Sequence, residues 1–271
     1  MKFLYGSELV DFIKERQAHQ VRGLIQHNKI QPKLAIITTK DDPVINVYMR
    51  LKKEYGKGIL IDSEIHKVNQ GIELEKKIAD LNKDNSVSGI IIQLPLSNTG
   101  ETEKYLKQVD PKKDVDGLGS DKLFIPATAM AIDWLLNGYN INLVGKKIAI
   151  VGENGRLVGA PLMKLWEKYQ PVGFSREDDL MDLRTYDIIV SATGMPGLIK
   201  PEMVGLDTIV IDAGTASENG KIMGDVDPLL YERNDLTITP KSGGVGPLTV
   251  AALFDNIIKA ARLSEKKIIK I

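Results

Sequence analysis

Short β-branched runs alternating with helical patterns constrain this chain more than any other feature. The runs "KLAIITT" (33–39), "GILID" (58–62) and "SGIIIQL" (88–94) are nearly continuous in apolar residues, as strands buried on both faces of a parallel sheet must be. Helical patterns at 43–56 and 71–83 separate them, so the region reads as βαβ alternation. A second series runs through "KKIAIVG" (146–152), "PVGFS" (171–175), "DIIVSAT" (187–193), "TIVIDAG" (208–214) and "LTITP" (236–240), with helical segments 157–169 and 201–204 between some of them. Ahead of the first series, Val10, Ile13, Val21, Leu24 and Ile25 recur at helical spacing behind Ser7, the expected N-cap. A Pro-led helical pattern at 126–138 joins the two series, and "PLTVAALFDNIIKAARL" (247–263) predicts an amphipathic helix placed to return to the first lobe. With 271 residues, 43% of them hydrophobic, two modest cores are the expected arrangement.

Charge and residue usage exclude several functions. Thirty-six basic residues balance thirty-six acidic ones, which leaves no electrostatic footprint for a nucleic-acid backbone. The absence of cysteine excludes disulfides, thiolate nucleophiles and cysteine-held zinc. His19, His27 and His66 stand far apart in no metal-ligand spacing, so no metal site is expected. The N-terminal stretch meets Glu8 and Asp11 before any apolar run reaches signal length, and no segment reads as a membrane span. A cytoplasmic protein is expected.

The stretch "AIVGENGRLVGAP" leads from a buried strand through Gly152, Asn154, Gly155 and Gly159 toward a helix beginning near Arg156. Such a loop brings backbone N–H groups close to an anionic group, with glycine where a Cβ would hold a phosphate away. Its G-x-x-G-x-x-x-G spacing is not the standard dinucleotide fingerprint, and a tight strand-to-helix turn without ligand would read alike. Its place in a five-strand α/β unit favours a dinucleotide. Ser175 and Arg176 end the second strand of that unit, and a hydroxyl beside a guanidinium suits a 2′-phosphate; NADP is therefore expected, with NAD the alternative because Glu177, Asp178 and Asp179 crowd the loop.

Polar candidates in the first series are fewer. Gln93 closes the strand 88–94 at its carboxyl end, where open α/β sheets bind ligands. Asp114 and Asp116 share a loop turning at Gly117; loop carboxylates are more often solvated or capping than functional. Tyr48 and Lys52 lie four apart, on one face of a helix. With eight tyrosines, about one Tyr-x-x-x-Lys arises by chance, so the spacing alone proves nothing. The pair precedes the glycine loop, which predicts a substrate lobe and a cofactor lobe facing each other. The expected fold class is therefore α/β and two-lobed: an N-terminal α/β substrate lobe formed by 1–120 plus 249–271, and a Rossmann-like dinucleotide-binding lobe formed by 121–248, with a cleft between them.

Seven stretches together resemble the bifunctional methylenetetrahydrofolate dehydrogenase/cyclohydrolase family: "DDPVINVYMRLKKEYG", "SGIIIQLPL", "PKKDVDGLG", "GRLVGAPL", "VIDAG", "GDVD" and "ITPKSGGVGPLTVAAL", in the family's order from residue 41 to 253. The resemblance implies oxidation of 5,10-methylenetetrahydrofolate with NADP, then hydrolysis of the methenyl product to 10-formyltetrahydrofolate, in one-carbon metabolism supplying purine biosynthesis. By the same resemblance Lys52 is the central catalytic residue, Gln93 hydrogen-bonds it and helps set its protonation, and Tyr48 packs along the folate. Asp116 accepts two N–H bonds from the pterin edge, while Gly244, Val245, Gly246 and Pro247 form a wall where folate and nicotinamide meet. Thr128, Gly152, Asn154, Gly155, Arg156, Ser175 and Arg176 fall at or near cofactor positions, and a homodimer through the nucleotide lobe is implied. Three departures stand out: "GENGR" is one residue longer than the family's turn and lacks its arginine and serine there, "PATAMA" lacks a proline and a glycine, and Ile45 replaces a serine. The alternatives are a member with a single activity, one that binds folate or nucleotide without catalysis, and a shikimate-type dehydrogenase of similar architecture.

Overall fold

The computed structural model describes residues 1–121, 123–214, 216–218 and 221–268, with side chains described outside 122, 215–222 and 265–271. The last three residues expected in the first lobe, 269–271, lie outside the described residues. Along the chain the elements are β1 (Lys2–Phe3), α1 (Gly6–Asn28), β2 (Lys33–Thr38), α2 (Pro43–Gly58), β3 (Asp62–Lys67), α3 (Ile72–Lys83), β4 (Gly89–Ile92), α4 (Thr102–Leu106) and α5 (Ala127–Gly138). They continue with β5 (Ile148–Val151), α6 (Gly159–Leu165), β6 (Val172–Phe174), β7 (Ile188–Ser191), β8 (Ile209–Asp212), β9 (Ala216–Glu218), β10 (Lys221–Met223), β11 (Thr237–Ile238) and α7 (Val245–Ile268).

Two compact units result: residues 11–127 with 250–271, and residues 1–10 with 128–249. The first carries a three-stranded sheet in the order β3-β2-β4, parallel throughout. Its core combines Ala35 and Ile37 of β2, Ile90 and Ile92 of β4, and Leu74, Ile78 and Leu81 of α3, the last three on one face of that helix by their spacing. β4 sits beside β2 on the side away from β3, so the order reverses at β2. The crevice at the carboxyl ends of β2 and β4 is where such a sheet accepts ligands.

The second unit carries six strands in the order β1-β11-β8-β7-β5-β6, again parallel. Its switch point lies between β5 and β7. A separate antiparallel pair, β9 with β10, completes the described strands.

Several sequence expectations change. The stretch 58–62 is not a strand: Ile59 and Ile61 are buried where α2 ends, Leu60 takes a left-handed φ of 63°, and the strand itself is the half-exposed Asp62–Lys67. An edge strand needs no apolar run, so "DSEIHK" gave no signal. Ser7 is not an N-cap; α1 starts at Gly6, and Ser7 donates its backbone N–H to Gly243 O at 3.1 Å. A Cβ at Gly6 would stand 2.1 Å from Gly244 O, so glycine permits that approach. Residues 1–10, expected with the first lobe, group with the second unit because Lys2 and Phe3 pair with Thr237 and Ile238.

Candidate active site

Asp42 sets the position of the first candidate residues. Its Oδ1 accepts from Val44 N at 2.8 Å and Ile45 N at 3.1 Å, and Pro43 follows where a missing N–H costs nothing. Ile45 and Met49, 6% and 2% exposed, fix the rotation of α2 against the core. Tyr48 and Lys52, one turn apart, are thereby held partly buried. Ile45, which departs from the family's serine, serves packing here.

Lys52 Nζ donates to Gln93 Oε1 at 2.8 Å. Gln93 follows β4 directly, its backbone N–H continuing the ladder to Ile37 O at 2.8 Å. Its Nε2 donates to Leu94 O at 3.0 Å, so the amide oxygen is the atom left to face the lysine.

Asp116 is placed by a loop that extends the same sheet. Ile90 donates to Lys113 O at 2.7 Å, and Val115 fills the space over Gly89 that a Cβ would occupy. Buried Asp114 accepts from Gly119 N at 2.7 Å and shapes the turn, for which Gly117 adopts φ 67°. Asn256 of α7, 1% exposed, donates to both Val115 O and Ile125 O at 2.9 Å. Nothing in the local sequence marked Asn256; an amide beside Asp255 within the apolar run 250–258 was the only available signal.

The electrostatics follow from burial. Desolvation pushes the Lys52 ammonium below the usual lysine range, with the Asp116 charge opposing it. Burial also pushes the Asp116 carboxyl up to about 6, against the pull of Lys52 and with Asp114 adding to the rise. Tyr48 is raised by burial as well. An amine nearer neutrality beside a carboxylate at the mouth of a parallel sheet can accept a proton and hold a planar N–H pair.

The second unit presents the glycine turn. Gly152 takes φ 88°, and a Cβ there would stand 2.9 Å from Ala192 O. At Gly159 a Cβ would lie 1.9 Å from Gly152 O, and at Gly155 2.9 Å from the same oxygen, so the turn closes only with hydrogen at these positions. Asn154 Nδ2 donates to Glu153 Oε1 at 2.5 Å. Arg156 is partly buried in the same turn, and Thr128 lies in the first turn of α5. After β6, Ser175 N donates to Asp178 Oδ2 at 2.6 Å, and Arg176 Nε donates to Glu177 Oε1 at 2.8 Å. Gly244 follows Gly243, at φ 82°, and leads into α7, which begins with buried Val245, then Gly246 and Pro247. The structure thus gathers Tyr48, Lys52, Gln93 and Asp116 in one unit and the expected cofactor positions with 244–247 in the other.

A buried carboxylate network beside the glycine turn escaped sequence reasoning. Fully buried Asp225 accepts from Ser191 Oγ at 2.7 Å, Thr193 N at 2.6 Å and Met195 N at 2.9 Å, shaping the turn after β7. Asp212 accepts from Asp225 N and Val226 N, both at 3.0 Å, and its carboxyl is pushed up to about 6 by burial. Among the described residues, no cluster of His, Cys, Asp or Glu is placed to hold a metal ion, and no helix is long and apolar enough to cross a membrane.

A glycine cradle at the switch point of a six-stranded parallel sheet fits a dinucleotide phosphate, and Oε2 of the partly buried Glu153, itself enclosed and without a hydrogen-bond partner, adds a polar atom of the kind a ligand satisfies once the side chain turns. Comparison with known proteins agrees. The pattern of the tetrahydrofolate dehydrogenase/cyclohydrolase catalytic domain matches residues 4–116, and that of the NAD(P)-binding domain of the same family matches 126–265. The chain is 37% identical to a bifunctional protein FolD from Hydrogenobaculum sp. over 278 residues, 96% of this chain and 98% of the relative. It is similar to the crystal structure of a bifunctional methylenetetrahydrofolate dehydrogenase/cyclohydrolase from Campylobacter jejuni (TM-score 0.89, 32% identity, covering 97% of this chain and 99% of that one). A Trypanosoma brucei methylenetetrahydrofolate dehydrogenase-cyclohydrolase complexed with NADP cofactor and inhibitor matches with TM-score 0.88 at 26% identity over 97% of each chain. The fold, the two matched domains and the near full-length identity together place the chain in the tetrahydrofolate dehydrogenase/cyclohydrolase family.

Proposed function

We propose that the chain oxidises 5,10-methylenetetrahydrofolate to the methenyl form with NADP and then hydrolyses that product to 10-formyltetrahydrofolate. The observation that carries this reading is the Lys52–Gln93 hydrogen bond of 2.8 Å, in the same unit as Asp116, whose carboxyl burial pushes up to about 6. Bound NADP supplies the hydride acceptor. The residues of this chain do the rest. Asp116 accepts the two N–H groups of the amino-pyrimidine edge, which fixes the pterin in its own plane. Tyr48 packs its ring along the folate, and Gln93 holds the Lys52 amine in place. In hydrolysis, water adds to the methenyl carbon, Lys52 in its neutral form takes the proton that water sheds, and the bond from that carbon to N5 breaks with a proton delivered to N5. Burial favours that role because it lowers the cost of the neutral amine.

Gly244, Val245, Gly246 and Pro247 are assigned to the wall between folate and nicotinamide. Thr128, Gly152, Asn154, Gly155, Arg156, Ser175 and Arg176 are assigned to the dinucleotide. Assembly as a homodimer through the nucleotide unit, a cytoplasmic setting and service to purine biosynthesis belong to the same proposal, the first being read directly by sedimentation.

The test incubates the protein with methylenetetrahydrofolate and each nicotinamide cofactor while methenyl absorbance is followed. A rise followed by decay is expected. A rise without decay removes the hydrolase, and no rise with either cofactor removes the dehydrogenase.

The pH dependence has a defined sign. The Asp116 carboxyl, raised to about 6, is ionised above that pH and protonated below it, and only the carboxylate can accept both pterin N–H groups. Affinity for a folate ligand is expected to rise about tenfold from pH 5 to 7 and level off above, as a single group titrating near 6 requires. Calorimetry across that range checks it, and Asp116→Asn should flatten the profile.

A further inference from the structure

Glu153 occupies an unusual place. It follows Gly152 in the turn after β5, yet its side chain lies over β6: a Cβ at Gly173 would stand 2.7 Å from both Cβ and Cγ of Glu153. Gly152 N donates to Phe174 O at 2.7 Å, which draws the turn onto the carboxyl end of β6. Of its two carboxylate oxygens, Oε1 accepts from Asn154, while Oε2 is inaccessible to solvent and has no hydrogen-bond partner. A carboxylate oxygen so enclosed and unpaired is costly, so a side-chain rotation that brings it to a ligand's hydroxyl relieves that cost.

In doubly wound sheets an acidic side chain at the end of the second strand accepts the 2′-hydroxyl of the adenosine ribose. Phe174 ends β6 and Ser175 follows it, so a carboxylate is missing from that strand end, but Glu153 brings one there from the preceding turn. The groups suited to a 2′-phosphate are meanwhile engaged. Arg176 pairs with Glu177 at 2.8 Å, and Ser175 Oγ accepts from Glu177 N at 3.3 Å. The Arg176–Glu177 pair is 59% and 68% exposed, so it is weak and can open for a phosphate.

We propose that Glu153 sets the cofactor ratio of this chain: its carboxylate accepts the ribose 2′-hydroxyl of NAD and opposes the 2′-phosphate of NADP, so that NAD binds beside NADP. This rests on the assignment of a dinucleotide to the glycine turn. A charge-assisted hydrogen bond gained by one ligand and a like-charge contact suffered by the other act in the same direction on the ratio.

Calorimetric binding of NAD and NADP to the intact wild-type chain and to Glu153→Gln tests it without recourse to turnover. The Gln variant keeps the shape over Gly173 and removes the charge. The ratio of the NADP to the NAD dissociation constant is expected to fall by roughly tenfold or more. A second measurement needs no variant: 2′-deoxy-NAD should bind the wild type roughly tenfold more weakly than NAD. A ratio unchanged within about threefold, or 2′-deoxy-NAD binding as tightly as NAD, overturns the role of Glu153 while leaving the dinucleotide site intact. Binding of neither dinucleotide to the wild type overturns the site and the inference together.

Discussion

A Lys52→Met variant is expected to bind folate and to hydrolyse the methenyl derivative roughly a hundred- to ten-thousandfold more slowly than wild type, the range that a positioned acid–base group contributes. Methionine keeps the length and apolar stem of lysine, so α2 and its packing through Ile45 and Met49 should persist. What disappears is the amine held 2.8 Å from Gln93 Oε1. Loss of its positive charge also removes the influence that holds the Asp116 carboxyl down, so that group should titrate above about 6 in the variant and folate binding should need a higher pH. Decay of methenyl absorbance measures the hydrolysis, and calorimetry measures the binding. Wild-type decay in the variant would take Lys52 out of the mechanism.

The second large effect is expected at Gly159. An alanine there would place its Cβ 1.9 Å from Gly152 O and 2.8 Å from Cα and C of Glu153, all backbone atoms with no flexible side chain to yield. The turn must open, at a cost of about 1–3 kcal/mol for overpacking. Gly159→Ala should therefore lower the melting temperature by several degrees and weaken NADP binding more than tenfold, while hydrolysis of added methenyltetrahydrofolate, whose groups Lys52, Gln93 and Asp116 lie in the other unit, persists. Differential scanning calorimetry and NADP titration read the two parts separately. NADP affinity within twofold of wild type would show that the glycine cradle does not hold the dinucleotide.

How much of this was legible differs from residue to residue. The strands β2, β4, β5, β7 and β8 were read from their apolar runs because a strand covered on both faces must be apolar at every position. β3 was misplaced into the end of α2, since its edge position leaves it half exposed and without a pattern, while the buried Ile59 and Ile61 imitate one. β1 was missed because two residues carry no periodicity; only their pairing with β11 makes them a strand. Tyr48 and Lys52 could be placed on one helical face from spacing alone, whereas Asn256, which fixes the Asp116 loop from 140 residues downstream of it, could not. The buried contacts of Asp225 and Glu153 were equally silent, because Ser191 of β7 and Gly173 of β6, which they meet, lie on strands distant in sequence.

The amino-acid sequence by itself determined the class of fold, the α/β series and the set of polar residues able to do folate chemistry, since periodicity and residue type are local properties. The tertiary structure alone decided which of those groups meet. Only folding brings Gln93 to Lys52, raises the Asp116 carboxyl, and lays Glu153 over Gly173. The physical reason is that desolvation and hydrogen bonding depend on distances in space, which a linear order of residues does not contain.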